Sequence, residues 1–222
     1  MYIPPIDQLI PEKTETATFS MGCFWSPDAL FGSIDGVVRT RVGYAGGTTE
    51  KPTYWALADH IETVQLDYDP RIISYQDLLQ VFFSNHKATR APWKRQYASA
   101  VFYQNQEQEK LALEAKAKHE AQMGQQVYTE VNLLTAFYLA EDRHQKYKLQ
   151  RQAQLWEEFQ EIYPNMADLN NSTAAAKVNA YLYGYGDRDN LESTINSFGL
   201  SPAGQQLLLQ KASAPKAIRC GG

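Results

Sequence analysis

Glu15-Thr16-Ala17-Thr18-Phe19-Ser20-Met21-Gly22-Cys23-Phe24-Trp25-Ser26-Pro27-Asp28 is the stretch on which the fold turns. From Glu15 to Met21 the side chains alternate, Thr16, Thr18 and Ser20 against Ala17, Phe19 and Met21, which is the period of a half-buried strand. Gly22 and Cys23 follow at once. Pro27 and Asp28 then suit a first helical turn, where proline forfeits no hydrogen bond and an acid meets the positive end of the helix dipole, so a helix is expected from Pro27 to Ser33. A cysteine is thus placed between a strand and the start of a helix.

Outward from that unit the pattern continues. Gly36 precedes a strand from Val37 to Tyr44 closed by Gly46 and Gly47, and a third strand runs from Glu62 to Tyr68 and stops at Asp69-Pro70. Ser74 caps a helix in which Tyr75, Leu78, Leu79 and Phe82 recur at helical spacing as far as His86. Tyr97 to Tyr103 reads as a strand, and Gln106 to Met123 as a largely solvated helix with Glu114 and Lys118 at i,i+4. Val127 to Ala136 reads as one further strand. The order βαββαβ implies an α+β protein, a ferredoxin-like sandwich with helices over one face of a mainly antiparallel or mixed sheet.

After Ala140 the chain turns helical, with Leu149, Ala153 and Trp156 on one face and a linker from Pro164 to Ser172. Helices are expected over Ala174 to Tyr183, over Leu191 to Phe198 and from Ser201-Pro202 to Lys211. The expected organisation is an N-terminal extension (1–14), a catalytic α+β domain (15–163), a helical C-terminal extension (164–211) and a mobile tail (212–222) that carries Cys220.

The 222 residues are 44% hydrophobic and 21% charged with a net charge of −4, ordinary values for a globular protein. No basic face is implied, so nucleic acid is not an expected partner. No segment offers the roughly 20 apolar residues of a membrane span, and the N-terminus lacks a secretory n-region and h-region. A cytoplasmic protein that does not engage membranes is expected, or a mature form already relieved of a leader, and a monomer.

The two cysteines, Cys23 and Cys220, do not form a stapled scaffold, and the four histidines show no metal-ligand spacing, so no metal and no bound cofactor are expected. On position alone Cys23 is either a thiol activated by the helix start or a buried, inert one. Glu62 shares a strand face with Val64, Leu66 and Tyr68. If that face is internal the carboxyl is pushed towards its protonated form; if Glu62 lies at a solvated strand end, it is not. Cys220, beside Arg219 and two glycines, is either a redox partner or an incidental terminal thiol.

Gly22-Cys23-Phe24-Trp25 resembles the active-site signature of peptide methionine sulfoxide reductases of the A type, with Ser26 where the family usually has Gly. The resemblance continues through Val42-Gly43-Tyr44-Ala45-Gly46-Gly47, Pro52-Thr53-Tyr54, His60-Ile61-Glu62, Tyr68-Asp69-Pro70, Asn85-His86, Arg95-Gln96-Tyr97-Ala98-Ser99 and Ala140-Glu141-Asp142-Arg143-His144-Gln145, spanning Thr18 to Tyr147. It implies reduction of methionine S-sulfoxide, free or protein-bound. Cys23 would attack the sulfoxide sulfur and become a sulfenic acid. Phe24 and Trp25 would wall a methyl pocket, Glu62 would protonate the oxygen, and Tyr54 and Tyr97 would bind beside it. Cys220 would resolve the sulfenic acid as a disulfide for thioredoxin to reduce. Two departures stand out: Ala91-Pro92-Trp93-Lys94-Arg95 holds no acid where the family often has an Asp, and Tyr54 to Glu62 is short. His60 is expected at most behind the site, His86 as a charge at a helix C-terminus and His144 in a satisfied core hydrogen bond. The competing classes are a cysteine hydrolase or transferase working with a histidine, and a noncatalytic binder of oxidised methionine.

Overall fold

A computed structural model describes residues 3–212, so the expectations for the tail and for Cys220 lie outside the described residues. Strand β1 (Glu15–Met21) leads into helix α1 (Trp25–Gly32), then β2 (Val37–Ala45), β3 (Ile61–Tyr68), α2 (Tyr75–Ser84), β4 (Ser99–Tyr103) and α3 (Gln106–Met123). Two short strands, β5 (Glu130–Leu133) and β6 (Phe137–Leu139), complete one six-stranded sheet in the order β5-β4-β1-β3-β2-β6. The central order β4-β1-β3-β2, antiparallel throughout, is the expected βαββαβ sandwich. β5 adds in parallel to β4 and β6 antiparallel to β2.

The expected single strand from Val127 to Ala136 is therefore corrected. The chain pairs with one edge of the sheet, crosses, and pairs with the opposite edge within ten residues. Side-chain alternation reports which face a residue takes, not which neighbour its backbone finds.

Each alternating set of β1 finds the company it needs. Ala17 and Phe19 join Val64, Leu66 and Tyr68 of β3 and Leu78, Leu79 and Phe82 of α2 in the main core, where the Phe19 ring lies 5.3 Å from both Phe31 and Phe82. On the opposite face Thr16 donates to Asp67 (2.8 Å), Gln65 donates to Thr18 (3.0 Å) and Ser20 meets Thr63 (2.8 Å). Thr18, Ser20 and Thr63 are also fully buried, so β1 is enclosed on both sides rather than half-buried. Mutual hydrogen bonding is what allows those polar groups to leave water.

Helix α2 starts where expected. Ser74 accepts from the Asp77 amide and Asp77 closes the reciprocal capping box. Helix α3 ends on Gly124 in the left-handed conformation; among the described residues no ion pair joins Glu114 to Lys118.

The C-terminal third packs around its own apolar cluster, with Leu155, Phe159, Val178 and Leu208 at its centre. It comprises α4 (Ala153–Ile162), α5 (Met166–Asn170), α6 (Thr173–Tyr183), α7 (Arg188–Thr194) and α8 (Pro202–Ala212). The expected linker contains α5, capped by Asn165. The buried face of α4 is Leu155, Phe159 and Ile162, and of the three residues expected on one face Leu149 is buried, Trp156 half-buried and Ala153 exposed.

Helix α6 lies against α1 so closely that a Cβ on Gly32 would come within 2.8 Å of the Ala176 carbonyl oxygen. Asp28, expected as an acid at the positive end of the helix dipole, is wholly buried and paired with the equally buried Lys146 at 3.1 Å. Thr40 donates to the same carboxylate at 2.6 Å, and Asn179 of α6 donates to its other oxygen at 3.2 Å. Burial pushes the Lys146 ammonium below its usual pKa, against the attraction of Asp28. No helix among the described residues is long and apolar enough to cross a membrane.

Candidate active site

Cys23 sits in the three-residue step between β1 and α1, immediately before Phe24, the N-cap. Gly22 makes the step with φ +87°, a backbone conformation that a side chain disfavours. The Cys23 thiol is half-buried and faces a cleft of about 490 Å³ that is also lined by Met21, Trp25, Tyr54, Glu62 and Tyr97. Five of the residues singled out from the sequence, namely Cys23, Trp25, Tyr54, Glu62 and Tyr97, thus meet at one concavity.

Phe24 does not line that cleft. It is buried behind it, 5.9 Å from the Tyr44 ring and 5.4 Å from the His144 ring. Trp25 is stacked on Tyr147 at 3.6 Å, and the Arg151 guanidinium lies over the same Tyr147 ring. At the next helical position Ser26 shares a 2.8 Å hydrogen bond with Tyr185, beyond the end of α6.

Glu62 is 1% exposed, which resolves its two readings in favour of the internal one. Its Oε2 accepts from the Phe24 backbone N–H at 3.1 Å and its Oε1 from Gln96 Nε2 at 2.5 Å. The first bond ties the carboxyl to the peptide that joins Cys23 to Phe24. Burial raises the Glu62 pKa, and the bonds from Gln96 and Phe24, with the charge of Lys94, only partly offset this. The side chain that donates to Glu62 is the neutral amide of Gln96, and no carboxylate of the stretch 91–95 is there to join it.

Tyr97 hydrogen-bonds Tyr54, and its hydroxyl is held protonated first by burial and then by the nearby Glu62 carboxyl. The Tyr54 loop is fixed from below. Glu141 accepts from the Tyr54 backbone N–H at 3.0 Å and from the Tyr44 hydroxyl at 2.7 Å. Gln145 acts as an extra piece of strand, accepting from Val42 N (3.0 Å) and donating to Val42 O (2.8 Å) and Ala140 O (3.0 Å).

His86 departs from expectation, His144 does so in part and His60 does not. The His144 ring lies 4.7 Å from the Tyr54 ring, and burial lowers its pKa; its Nε2 accepts from Arg143 Nε at 3.2 Å while its Nδ1 is buried without a hydrogen-bond partner, so the expected core bond is made at one nitrogen only. His86 lines the cleft, with Nδ1 on Phe82 O and Nε2 on Ser99 Oγ, both at 2.7 Å. Burial pushes it down to about 4, so it is neutral rather than the expected helix-end charge. His60 stays off the cleft and ties the turn after β2, accepting from Gly47 N at 3.2 Å and meeting Thr49 O at 2.7 Å. Glu141, Gln96 and His144 were not singled out as functional. They stand within the quoted family-like stretches, but their partners lie 34 to 120 residues away, so their roles could not be read from those stretches.

Among the described residues no three potential metal ligands gather. The cleft can offer a thiol at a helix start, a buried carboxyl whose pKa is raised and two hydroxyls within one apolar-walled space.

A family model described as peptide methionine sulfoxide reductase matches residues 15–177. Similar proteins include a peptide methionine sulfoxide reductase of Drosophila melanogaster, 40% identical over 206 residues that cover 92% of this chain and 82% of the relative. Another is the peptide methionine sulfoxide reductase MsrA of Methanococcus maripaludis, 42% identical over 148 residues, 63% of this chain and 94% of the relative. Among solved structures, the reduced form of Mxr1 from Saccharomyces cerevisiae superposes with a TM-score of 0.60 at 27% identity, covering 65% of this chain and 89% of that one. Methionine sulfoxide reductase A of Corynebacterium diphtheriae gives 0.57 at 31% identity, covering 65% and 77%.

Proposed function

The chain belongs to the peptide methionine sulfoxide reductase family, and from that premise we propose that it reduces the S epimer of methionine sulfoxide, free or in polypeptides, through a thiolate at Cys23. The observation that supports this most directly is the meeting of Cys23 and the buried Glu62 in one cleft, with Glu62 bonded to the peptide that follows Cys23. A helix start favours thiolate at Cys23, and burial favours the acid form of Glu62. A nucleophile and a proton donor would then stand in one cleft.

In this reading the sulfoxide methyl group lies against Trp25, with Phe24 backing the wall, and its oxygen lies near Glu62 and the Tyr54 and Tyr97 hydroxyls. Attack of the Cys23 sulfur on the sulfoxide sulfur, with protonation of the oxygen by Glu62, transfers that oxygen to the thiol. Methionine leaves, and Cys23 is left as a sulfenic acid. The Cys220 thiol then forms a disulfide with Cys23 and releases water, and an external dithiol, thioredoxin, reduces the disulfide by exchange. The Cys220 step rests on the sequence, because that residue lies outside the described ones. We read residues 15–163 as the catalytic unit, 164–211 as an extension docked on it, and the protein as a cytoplasmic monomer.

His86 bears on the hydrolase alternative. Both of its nitrogens are engaged by Phe82 O and Ser99 Oγ, so this imidazole of the cleft is not available to Cys23 as a base. Mass spectrometry after addition of each epimer tests the proposal. One equivalent of methionine from the S epimer, with a Cys23–Cys220 disulfide, supports it. An acyl adduct on Cys23, or no covalent change, sinks it.

A further inference from the structure

The segment 87–95, Lys-Ala-Thr-Arg-Ala-Pro-Trp-Lys-Arg, holds four cations and no acid in a chain whose net charge is −4. It is anchored at both ends. Ala88 is buried and its carbonyl accepts from Tyr128 N at 2.8 Å, while Arg95 pairs with Glu130 and donates to Asp59 O at 3.3 Å. Between the anchors, residues 90–94 are exposed. Lys87, Arg90 and Trp93 line the mouth of the cleft, and Lys94 is close enough to act on Glu62.

Among the described residues none of Lys87, Arg90 and Lys94 has a carboxylate partner. Among the same residues Glu62 is the sole acid lining the cleft, and it is held towards neutrality. Each cleft tyrosine also has a solvent-facing indole beside it: Trp93, 70% exposed, is 5.3 Å from Tyr97, and Trp55, 84% exposed, is 5.2 Å from Tyr54. A methionine side chain alone uses neither the cations nor the indoles. Unpaired like charges around a concave site project a field that draws and orients the opposite charge, and exposed indoles offer rigid apolar contact to a chain laid across them.

We infer that this rim selects polypeptide substrates in which carboxylates lie within about three residues, or ~10 Å of extended chain, of the oxidised methionine. The inference rests on the reductase reading and adds to it a substrate class, acidic extended segments. From Lys211 onward the chain carries Lys216 and Arg219 and no acid, so its own C-terminal stretch is not the acidic segment that the rim selects.

The test uses pentapeptides with a central methionine S-sulfoxide flanked by Glu, Gln or Lys, and N-acetyl-methionine S-sulfoxide amide as a neutral minimal substrate. Dithiothreitol is the reductant, so that no second protein contributes. The expected kcat/KM order is Glu over Gln over Lys, with a Glu-to-Gln ratio of about 3 to 10 at low salt that shrinks towards 1 at about 0.5 M salt. In a Lys87→Gln, Arg90→Gln, Lys94→Gln triple variant the ratio falls to about 1. The ratio is taken within one protein, so loss of folded enzyme does not alter it.

A wild-type ratio of 1, a ratio that survives in the triple variant, or a charge preference seen only when thioredoxin is the reductant overturns the rim. Failure to reduce even the minimal substrate overturns the reductase reading itself.

Discussion

His86 supplies a measurable pH dependence of stability. Its Nδ1 and Nε2 are held by Phe82 O and Ser99 Oγ, and burial lowers its pKa from 6.5 to about 4. The unfolded chain then binds a proton in a pH range where the folded one does not, so stability is full above pH 6.5 and is lost as pH falls towards 4. At one pKa unit per 1.36 kcal/mol the whole shift is worth about 3 kcal/mol, of which about 2 kcal/mol disappears between pH 7 and 5. Urea unfolding of the wild type and of a His86→Gln variant at pH 7, 6 and 5 isolates this contribution. The wild type should lose about 2 kcal/mol more than the variant over that range, and the His86 Cε1 proton should titrate near 4 by NMR. Parallel stability curves, or a ring that titrates above 6, would refute the argument.

The Glu62→Gln variant is expected to lose about 10²- to 10⁴-fold in kcat/KM. Because burial raises the Glu62 pKa, wild-type activity should decline as pH rises through that pKa, and the variant should lack this limb in a pH–rate profile. Cys220→Ser should release one equivalent of methionine and accumulate a dimedone-reactive sulfenic acid at Cys23; wild-type turnover with thioredoxin would remove Cys220 from the cycle. Lys146→Met leaves the Asp28 carboxylate buried without its counter-ion and should cost about 3–5 kcal/mol in chemical denaturation. Loss of under about 1 kcal/mol would show that the Thr40 and Asn179 bonds suffice.

Periodic signals carried most of the sandwich. The two faces of β1, the Ser74 cap and the start and end of α3 depend on residues within a few positions of one another, and a linear reading reaches them. The division of Val127 to Ala136 into β5 and β6 depends on partners at opposite edges of the sheet, and α5 is a single short turn raised by the Asn165 cap inside a stretch of loop-like composition. At the site, Cys23, Glu62, Tyr54, Tyr97 and Trp25 were legible through their motifs, and the alternation of β3 placed Glu62 on its apolar face. Phe24 stood out for the same reason, yet its ring is turned to Tyr44 and His144. Gln96, Glu141 and Asp28 gain their meaning from contacts across the fold, and Asp28 reads locally as an ordinary helix-start acid.

The buried meeting of Asp28, Lys146 and Asn179 also limits how such a chain can change in length. Asn179 donates to Asp28 and accepts from the Lys148 and Leu149 amides, so a chain cut before α6 would strand donors and acceptors behind the very helix that starts at the catalytic pocket. Loss of α6 would take the Asn179 bond from one Asp28 oxygen and uncover the Asp28–Lys146 pair, which Thr40 alone would then support. An Asp, a Lys and an Asn in this relation thus join the sheet, the first helix and the C-terminal helices through one buried polar cluster.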